Sequence, residues 1–230
     1  QIRYNDLENL HEITEKTAAV IIEPVQGATG FITPQNKFLN AVREKCDEVG
    51  AILIFDEIQT CFGRTGNLFG FQTYNVIPDI LCMAKGMGGG MPIGCFTSST
   101  EMMHSLRENP KLGHITTFGG HPLACIAALE TLNELFDTKL INEVSSKEIL
   151  FRSLLKHPKI KNIRGIGLML AIELGDPELC KKVVHRGIEK GILTFFFLFS
   201  DTAVRISPPL TISEDEIIKA SKIILEILDE

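Results

Sequence analysis

Asp56 and Lys85 each close an apolar run, and together they are residue types that do chemistry as a pair. The run from Ala51 to Phe55 stops abruptly at Asp56-Glu57, which reads as a buried strand delivering acids at its carboxyl end. The run from Ile80 to Ala84 follows a Pro78-Asp79 start signal and delivers Lys85 into Gly86-Met87-Gly88-Gly89-Gly90. Open α/β sheets place ligands at that end of their strands. An ammonium crowded onto such a turn is expected to be partly desolvated with a lowered pKa, and its neutral amine can attack a carbonyl to form a Schiff base.

An acid held opposite suits a cofactor nitrogen that must stay protonated, and pyridoxal phosphate asks for this pair. Lys85 taken alone also reads as a surface lysine in a loop, so its context decides. Thr116-Thr117-Phe118-Gly119-Gly120 precedes Pro122, which opens a long apolar helix. Hydroxyls beside a helix amino terminus could hold a phosphate, or could simply cap the helix. Arg205, in Arg205-Ile206-Ser207-Pro208-Pro209, carries a rigid fork suited to a carboxylate, with a surface arginine on an edge strand as the plain alternative. The glycines after Lys85 lead to Pro92 rather than into a helix, so they are no dinucleotide fingerprint. Gly63-Arg64-Thr65-Gly66 lacks a strand-to-helix context and reads as a turn.

The elements that position these residues follow from periodicity. Residues 18–22 form a third apolar run, ended by Glu23-Pro24. Thr33-Pro34 reads as an N-cap and first helical residue, and Phe38, Leu39, Val42 and Cys46 then recur at helical spacing before Gly50. Strand, helix, strand is a βαβ unit with a parallel sheet, which predicts Glu23, Asp56 and Lys85 along one edge. A strand is predicted over 93–98, a short helix over 101–106 and a long helix over 122–136. Beyond about residue 137 the pattern predicts a helix over 142–156, a hairpin over 163–174 and a helix over 177–190. A strand-like aromatic run over 192–199, a strand over 203–206 and a final helix over 213–228 complete it. The fold class is α/β, with a mainly parallel sheet in a large domain over 1–136 and a small α+β domain over 137–230.

With 230 residues and 44% hydrophobic content, a sizeable core can form. A net charge of −6 without a basic run argues against a nucleic-acid or anionic-membrane partner. The six cysteines are scattered without CxxC spacing, which favours buried reduced thiols over disulfides or a metal site. No apolar run reaches membrane-spanning length, and the expectation is a cytoplasmic protein.

Five blocks in register, IIEPVQG at 21–27, FDEIQTCFGRTG at 55–66, PDILCMAKGMGGGMPIG at 78–94, TTFGGHPLAC at 116–125 and RISPPLTI at 205–212, resemble the class III pyridoxal-phosphate aminotransferases. The resemblance implies a fold type I transferase with pyridoxal 5'-phosphate, moving an amino group from an amino acid or ω-amine to an oxo acid such as 2-oxoglutarate. It implies that Lys85 anchors the cofactor and carries protons, that Asp56 keeps the ring nitrogen protonated, that Gln59 meets the ring hydroxyl and that Ile58 packs on one ring face. Glu23 is implied as support around that site. Thr117, with Thr116 beside it, is implied to reach the phosphate held by the other subunit of a homodimer, and Arg205 to take a substrate carboxylate. Such a segment lies mid-protein in the family, which implies that the chain is the carboxyl-terminal part of a longer enzyme. The turn that holds the phosphate in the same subunit, and an aromatic that covers one ring face, would then lie outside it. One departure stands out: relatives of the ornithine and 4-aminobutyrate type carry a glutamate after EPxQG that pairs with the arginine, and here that residue is Ala28. A sister chemistry on the same frame, an aminomutase or decarboxylase, is the alternative, as is an inactive module that folds and dimerises.

Overall fold

A computed structural model describes residues 1–35, 37–111 and 113–230. The chain divides into two compact units. One holds Gln1–Pro24, Pro34–Phe62 and Phe69–Thr138; the other holds Val25–Thr33, Gly63–Leu68 and Lys139–Glu230.

The first unit is built on a four-stranded sheet in the order β1 (Ala19–Ile22), β2 (Ile52–Asp56), β3 (Ile80–Met83), β4 (Cys95–Thr97). The first three strands are parallel, and β4 runs antiparallel to β3. Helix α1 (Phe38–Val49) makes the crossover from β1 to β2, burying Phe38, Leu39, Val42 and Cys46 with Val20, Ile22, Leu53 and Phe55. Gly50 ends α1 in the left-handed region at φ 74°, as an αL cap requires. The start of α1 corrects the sequence reading. Lys37 precedes it at φ 58° without a side-chain cap, so the helix begins at Phe38 rather than beside Pro34; a left-handed residue cannot lie inside a right-handed helix. Asp79 ties β3 to β2, accepting the Leu53 N–H at 2.7 Å and pairing with Arg43 at 2.8 Å. Only alternate residues of β1 are buried, and Ile21 is 66% exposed. The expectation of strands buried on both faces is therefore not met by the described residues. Short helices α2 (Gly70–Tyr74) and α3 (Thr100–His104) and the long α4 (Pro122–Asp137) complete the unit.

The second unit carries an antiparallel sheet of β5 (Asn162–Ile166), β6 (Met169–Glu173) and β7 (Ala203–Ile206), with β6 central. Helices α5 (Val144–Leu154), α6 (Pro177–Glu189) and α7 (Glu214–Asp229) enclose a core of Phe151, Leu170, Ile172, Val183, Val204, Ile217 and Ile224. Asp176 caps α6 through the N–H groups of Glu178 and Leu179, with Pro177 at the first turn. Ser213 and Glu216 form a capping box on α7. The strand-like reading of 192–199 is corrected: only an isolated bridge from Phe195 to Arg205 forms. An unbroken aromatic run has no inside-outside alternation to fix a strand, and here Phe197 is buried while Phe195, Leu198 and Phe199 are exposed.

Among the described residues, no helix is long and apolar enough to cross a membrane.

Candidate active site

The parallel pairing places the chemistry-bearing residues of the first unit at the carboxyl edge of its sheet. Ile22 lies level with Phe55, and Asp56 level with Cys82. Glu23, Asp56 and Lys85 therefore leave three neighbouring strand ends. The Glu57 N–H donates to the Cys82 carbonyl at 2.9 Å, carrying the ladder one residue past β2. Asp56 is half-buried, and its Oδ1 accepts the Ile58 N–H at 3.1 Å. That Asx-type bond starts the turn on which half-buried Ile58 and Gln59 sit. Glu23 is half-buried too and raises the pKa of Tyr4, behind the larger effects of that phenol's own burial and of Tyr74.

Lys85 follows β3 with φ at 45° and opens a tight turn over Lys85–Gly88. Its side chain is exposed, so these residues do not supply the crowding expected from the glycine-rich sequence. The glycines serve a close approach instead. At Gly89, φ is 54° and a Cβ would come 2.5 Å from Thr131 Oγ1 on α4, so a side chain there would collide with the helix.

Glu57 and Cys61 hold this edge together, and the sequence reading assigned no role to either. Glu57 is fully buried, accepting the N–H of Gly70 and, at 2.6 Å, that of Phe71, with the Thr60 hydroxyl donating at 3.1 Å. Burial raises its pKa, and those three donors oppose the rise. The signal was present in the period-two alternation: Leu53, Phe55 and Glu57 are all buried, so Glu57 is in phase with the core-facing side chains while Asp56 is not. Cys61 donates its thiol to the Ala84 carbonyl at 3.8 Å, linking the turn after Asp56 to the residue before Lys85. Burial pushes that thiol up to about 12, so it stays protonated. Cys46, Cys61 and Cys180 are buried thiols, whereas Cys125 is exposed, contrary to a uniformly buried set.

Thr116 and Thr117 are exposed. The Thr116 carbonyl accepts the Gly119 N–H at 3.2 Å in a turn ahead of α4, whose N-cap is His121 without a side-chain bond. The N-cap position that the capping reading gave to these hydroxyls is held by His121 instead.

In the second unit, Arg205 lies on β7, half-buried, with Ala171 and then Arg164 beside it across the sheet. Its Nε donates to Ser207 Oγ at 3.2 Å, and its guanidinium carbon lies 5.0 Å from the Phe31 ring centre and 6.0 Å from that of Phe197. Burial pulls the guanidinium below its ordinary pKa. A cavity of about 800 Å³ is lined by Arg205 together with Thr194, Ser207, Pro208, Glu216 and Lys219. The loop 25–33 packs in this unit, with the Ala28 carbonyl accepting the Phe199 N–H at 3.1 Å and the Gly30 carbonyl accepting from Arg164 Nε at 3.1 Å.

An amine, a half-buried carboxylate and an amide carried on adjacent strand ends form a donor set that fits a pyridine-type cofactor with an aldehyde. The sequence model of the family described as "Aminotransferase class-III" matches residues 1–228. A putrescine aminotransferase from Pectobacterium atrosepticum is 44% identical over 225 residues, which cover 94% of this chain and 48% of the relative. An acetylornithine aminotransferase from Clostridium acetobutylicum is 39% identical over 226 residues, which cover 95% of this chain and 57% of the relative. The chain therefore spans about half the length of the curated relatives it matches. The solved structure of an ornithine aminotransferase from Toxoplasma gondii, with partial occupancy of PLP at its active site, superposes with a TM-score of 0.89. It is 35% identical and is matched over 98% of this chain and 54% of that one.

Proposed function

Because the chain belongs to the class III aminotransferases, we propose that the whole protein moves an amino group from an amino acid or ω-amine to an oxo acid such as 2-oxoglutarate, with pyridoxal 5'-phosphate as cofactor. The observation that carries this reading is the pairing of β2 with β3, which brings Asp56 and Lys85 to one edge of the parallel sheet. When bound, the cofactor supplies an electron sink for charge developing on the donor carbon. Lys85 would anchor it through its Nζ, and the same amine, once freed, would serve as the general base and acid for the proton on the donor carbon. Asp56 holds the proton on the ring nitrogen, since an anion there favours the charged form. Gln59 would help hold the cofactor through its amide, and Ile58 would supply an apolar contact to it. Glu23 supports the edge from the end of β1.

Arg205 takes a carboxylate of the donor or the oxo acid. Ala28 has no carboxylate to set against it, so the substrate does not have to displace one from that position. Thr117, with Thr116 beside it, completes the phosphate site of a second subunit in a cytoplasmic homodimer. The exposure of both hydroxyls, and of Leu123, Ile126 and Leu129 along α4, supports that arrangement.

The test is an absorbance spectrum of the full-length protein with pyridoxal phosphate before and after borohydride, followed by peptide mapping. Label on Lys85 is the expected result. Label elsewhere, or none, sinks the reading.

A further inference from the structure

Two acids adjoin at the end of β2, and they face opposite ways. Side chains alternate along a strand, so Glu57 follows Leu53 and Phe55 into the core while Asp56 stays half-buried on the other face. At the last residue of a strand that alternation is weakly enforced, and adjoining acids there could trade faces by a local twist of the backbone. Glu57 does not have that freedom. Its N–H donates to the Cys82 carbonyl at 2.9 Å. Its Oε2 accepts the Gly70 N–H and, at 3.1 Å, the Thr60 hydroxyl, while Oε1 accepts the Phe71 N–H at 2.6 Å. Gly70 makes room for this cage, since a Cβ there would stand 3.0 Å from Glu57 Oε2 and 2.9 Å from Thr60 Cβ. An aspartate side chain is one methylene shorter. Asp56 turned inward would leave these buried donors short of an acceptor, which is costly.

We propose that Glu57 is a positioning residue: locked inward by its cage, it turns Asp56 outward and so selects which of the two adjoining carboxylates meets the cofactor's ring nitrogen. The proposal rests on the reading of Asp56 as the partner of that nitrogen. The link from one acid to the other is short. They share a peptide unit, and Asp56 Oδ1 accepts the N–H of Ile58, the residue on the far side of Glu57, at 3.1 Å. Backbone on both sides of Glu57 thus takes part in holding the Asp56 carboxylate. The Cys61 N–H donates to the Glu57 carbonyl at 3.1 Å, so the turn that carries Ile58 and Gln59 closes on the same residue. The cage requires a carboxylate. A glutamine of the same shape has one accepting oxygen where glutamate has two, and it would turn its NH₂ group toward a donor.

Hydrogen exchange of the Ile58 amide, read at single-residue resolution in the full-length protein without added cofactor, reports on Asp56 because Asp56 Oδ1 is its acceptor. In Glu57→Gln that amide is expected to exchange about tenfold faster, the factor that one lost hydrogen bond to a charged group carries. The affinity of the folded variant for pyridoxal phosphate, measured by equilibrium dialysis, should fall about tenfold with it. Gly70→Ala presses on the carboxylate from the donor side and is expected to move both readouts the same way, so it decides the matter if Glu57→Gln fails to fold. Val42→Ala, at a fully buried position of α1 in the same unit, should lower stability and leave both readouts unchanged. Faster exchange at Gly70 and Phe71 with wild-type exchange at Ile58, or wild-type affinity for pyridoxal phosphate in Glu57→Gln, overturns the proposal. So does a Val42→Ala protein impaired in both readouts as much as Glu57→Gln. Faster Ile58 exchange in a protein whose Lys85 takes no borohydride label would keep Glu57 as the residue that orients Asp56 and remove the transaminase reading, so the two fail separately.

Discussion

The two units of this chain keep their apolar residues differently. In the second, three helices close over one face of an antiparallel sheet, and β6 is buried from Met169 through Ile172. In the first, α1 covers one face of a mainly parallel sheet while Ile21 on β1 stays 66% exposed. On α4, Leu123, Ile126, Leu129 and Phe136 are each more than half exposed. Parallel sheets are stable when both faces are covered. The second unit therefore satisfies its own core, whereas the first presents apolar surface on β1 and α4. The residues proposed for chemistry sit largely in the first, on strand ends and turns. Substitutions there should strike activity, and substitutions in the second unit should strike stability.

The largest effect tests the chemical half of that contrast. Lys85→Ala is expected to abolish transamination while shifting unfolding free energy by less than about 0.5 kcal/mol, because the side chain is exposed. Wild-type turnover in the variant would remove Lys85 from its role, and a large drop in melting temperature would break the contrast. Asp56→Asn comes next. Cofactor binding should persist while single-turnover proton transfer slows by about 10²- to 10⁴-fold, the range for a lost acid–base contribution.

The packing half is tested by two isoleucines. Ile172→Ala, at 1% exposure in the centre of β6, is expected to cost about 2–5 kcal/mol in urea titrations. Ile21→Ala, exposed in this chain, should cost less than about 0.5 kcal/mol when the chain is unfolded by itself. In the full-length protein the Ile21 cost should rise toward the Ile172 value if β1 becomes covered there; equal small costs in both settings would mean that this face stays open.

The smallest effect concerns helix ends. α7 has a capping box where α1 has no side-chain cap, so Ser213→Ala should cost about 1 kcal/mol. Bonds from the Ser213 backbone and hydroxyl hold the Glu216 carboxyl below its ordinary pKa of 4.5. A depressed carboxylate stabilises above its unfolded pKa and loses that contribution as pH falls through the folded one. The difference between wild type and Ser213→Ala should therefore shrink as pH falls below about 4.5, the ordinary glutamate value; a difference independent of pH would show that the box contributes nothing through the carboxylate.

Much of the site could be read before folding. Lys85, Asp56, Gln59 and the threonine pair stand in contiguous motifs, and the runs ending at Asp56 and Ala84 place the first two on strands. Glu57 was legible only through its phase with Leu53 and Phe55, and a glutamate adjoining an aspartate invites the reading of a second surface acid. The start of α1 was misread because Thr33-Pro34 satisfies local capping chemistry, whereas Lys37, immediately before Phe38, is left-handed. The aromatic run 195–199 was misread because hydrophobicity without alternation does not say which ring turns inward.

The order of strands and helices, the family and the residue types at the sheet edge were determined by the sequence alone, because periodicity and contiguous motifs are local properties. Only the tertiary structure decided that Phe31 and Phe197 converge on Arg205, that Glu57 anchors the turn behind Asp56 and that Lys85 stands exposed. Those facts depend on contacts between segments far apart in the chain. Such contacts are selected by close packing and hydrogen-bond satisfaction in three dimensions rather than by any neighbour's identity.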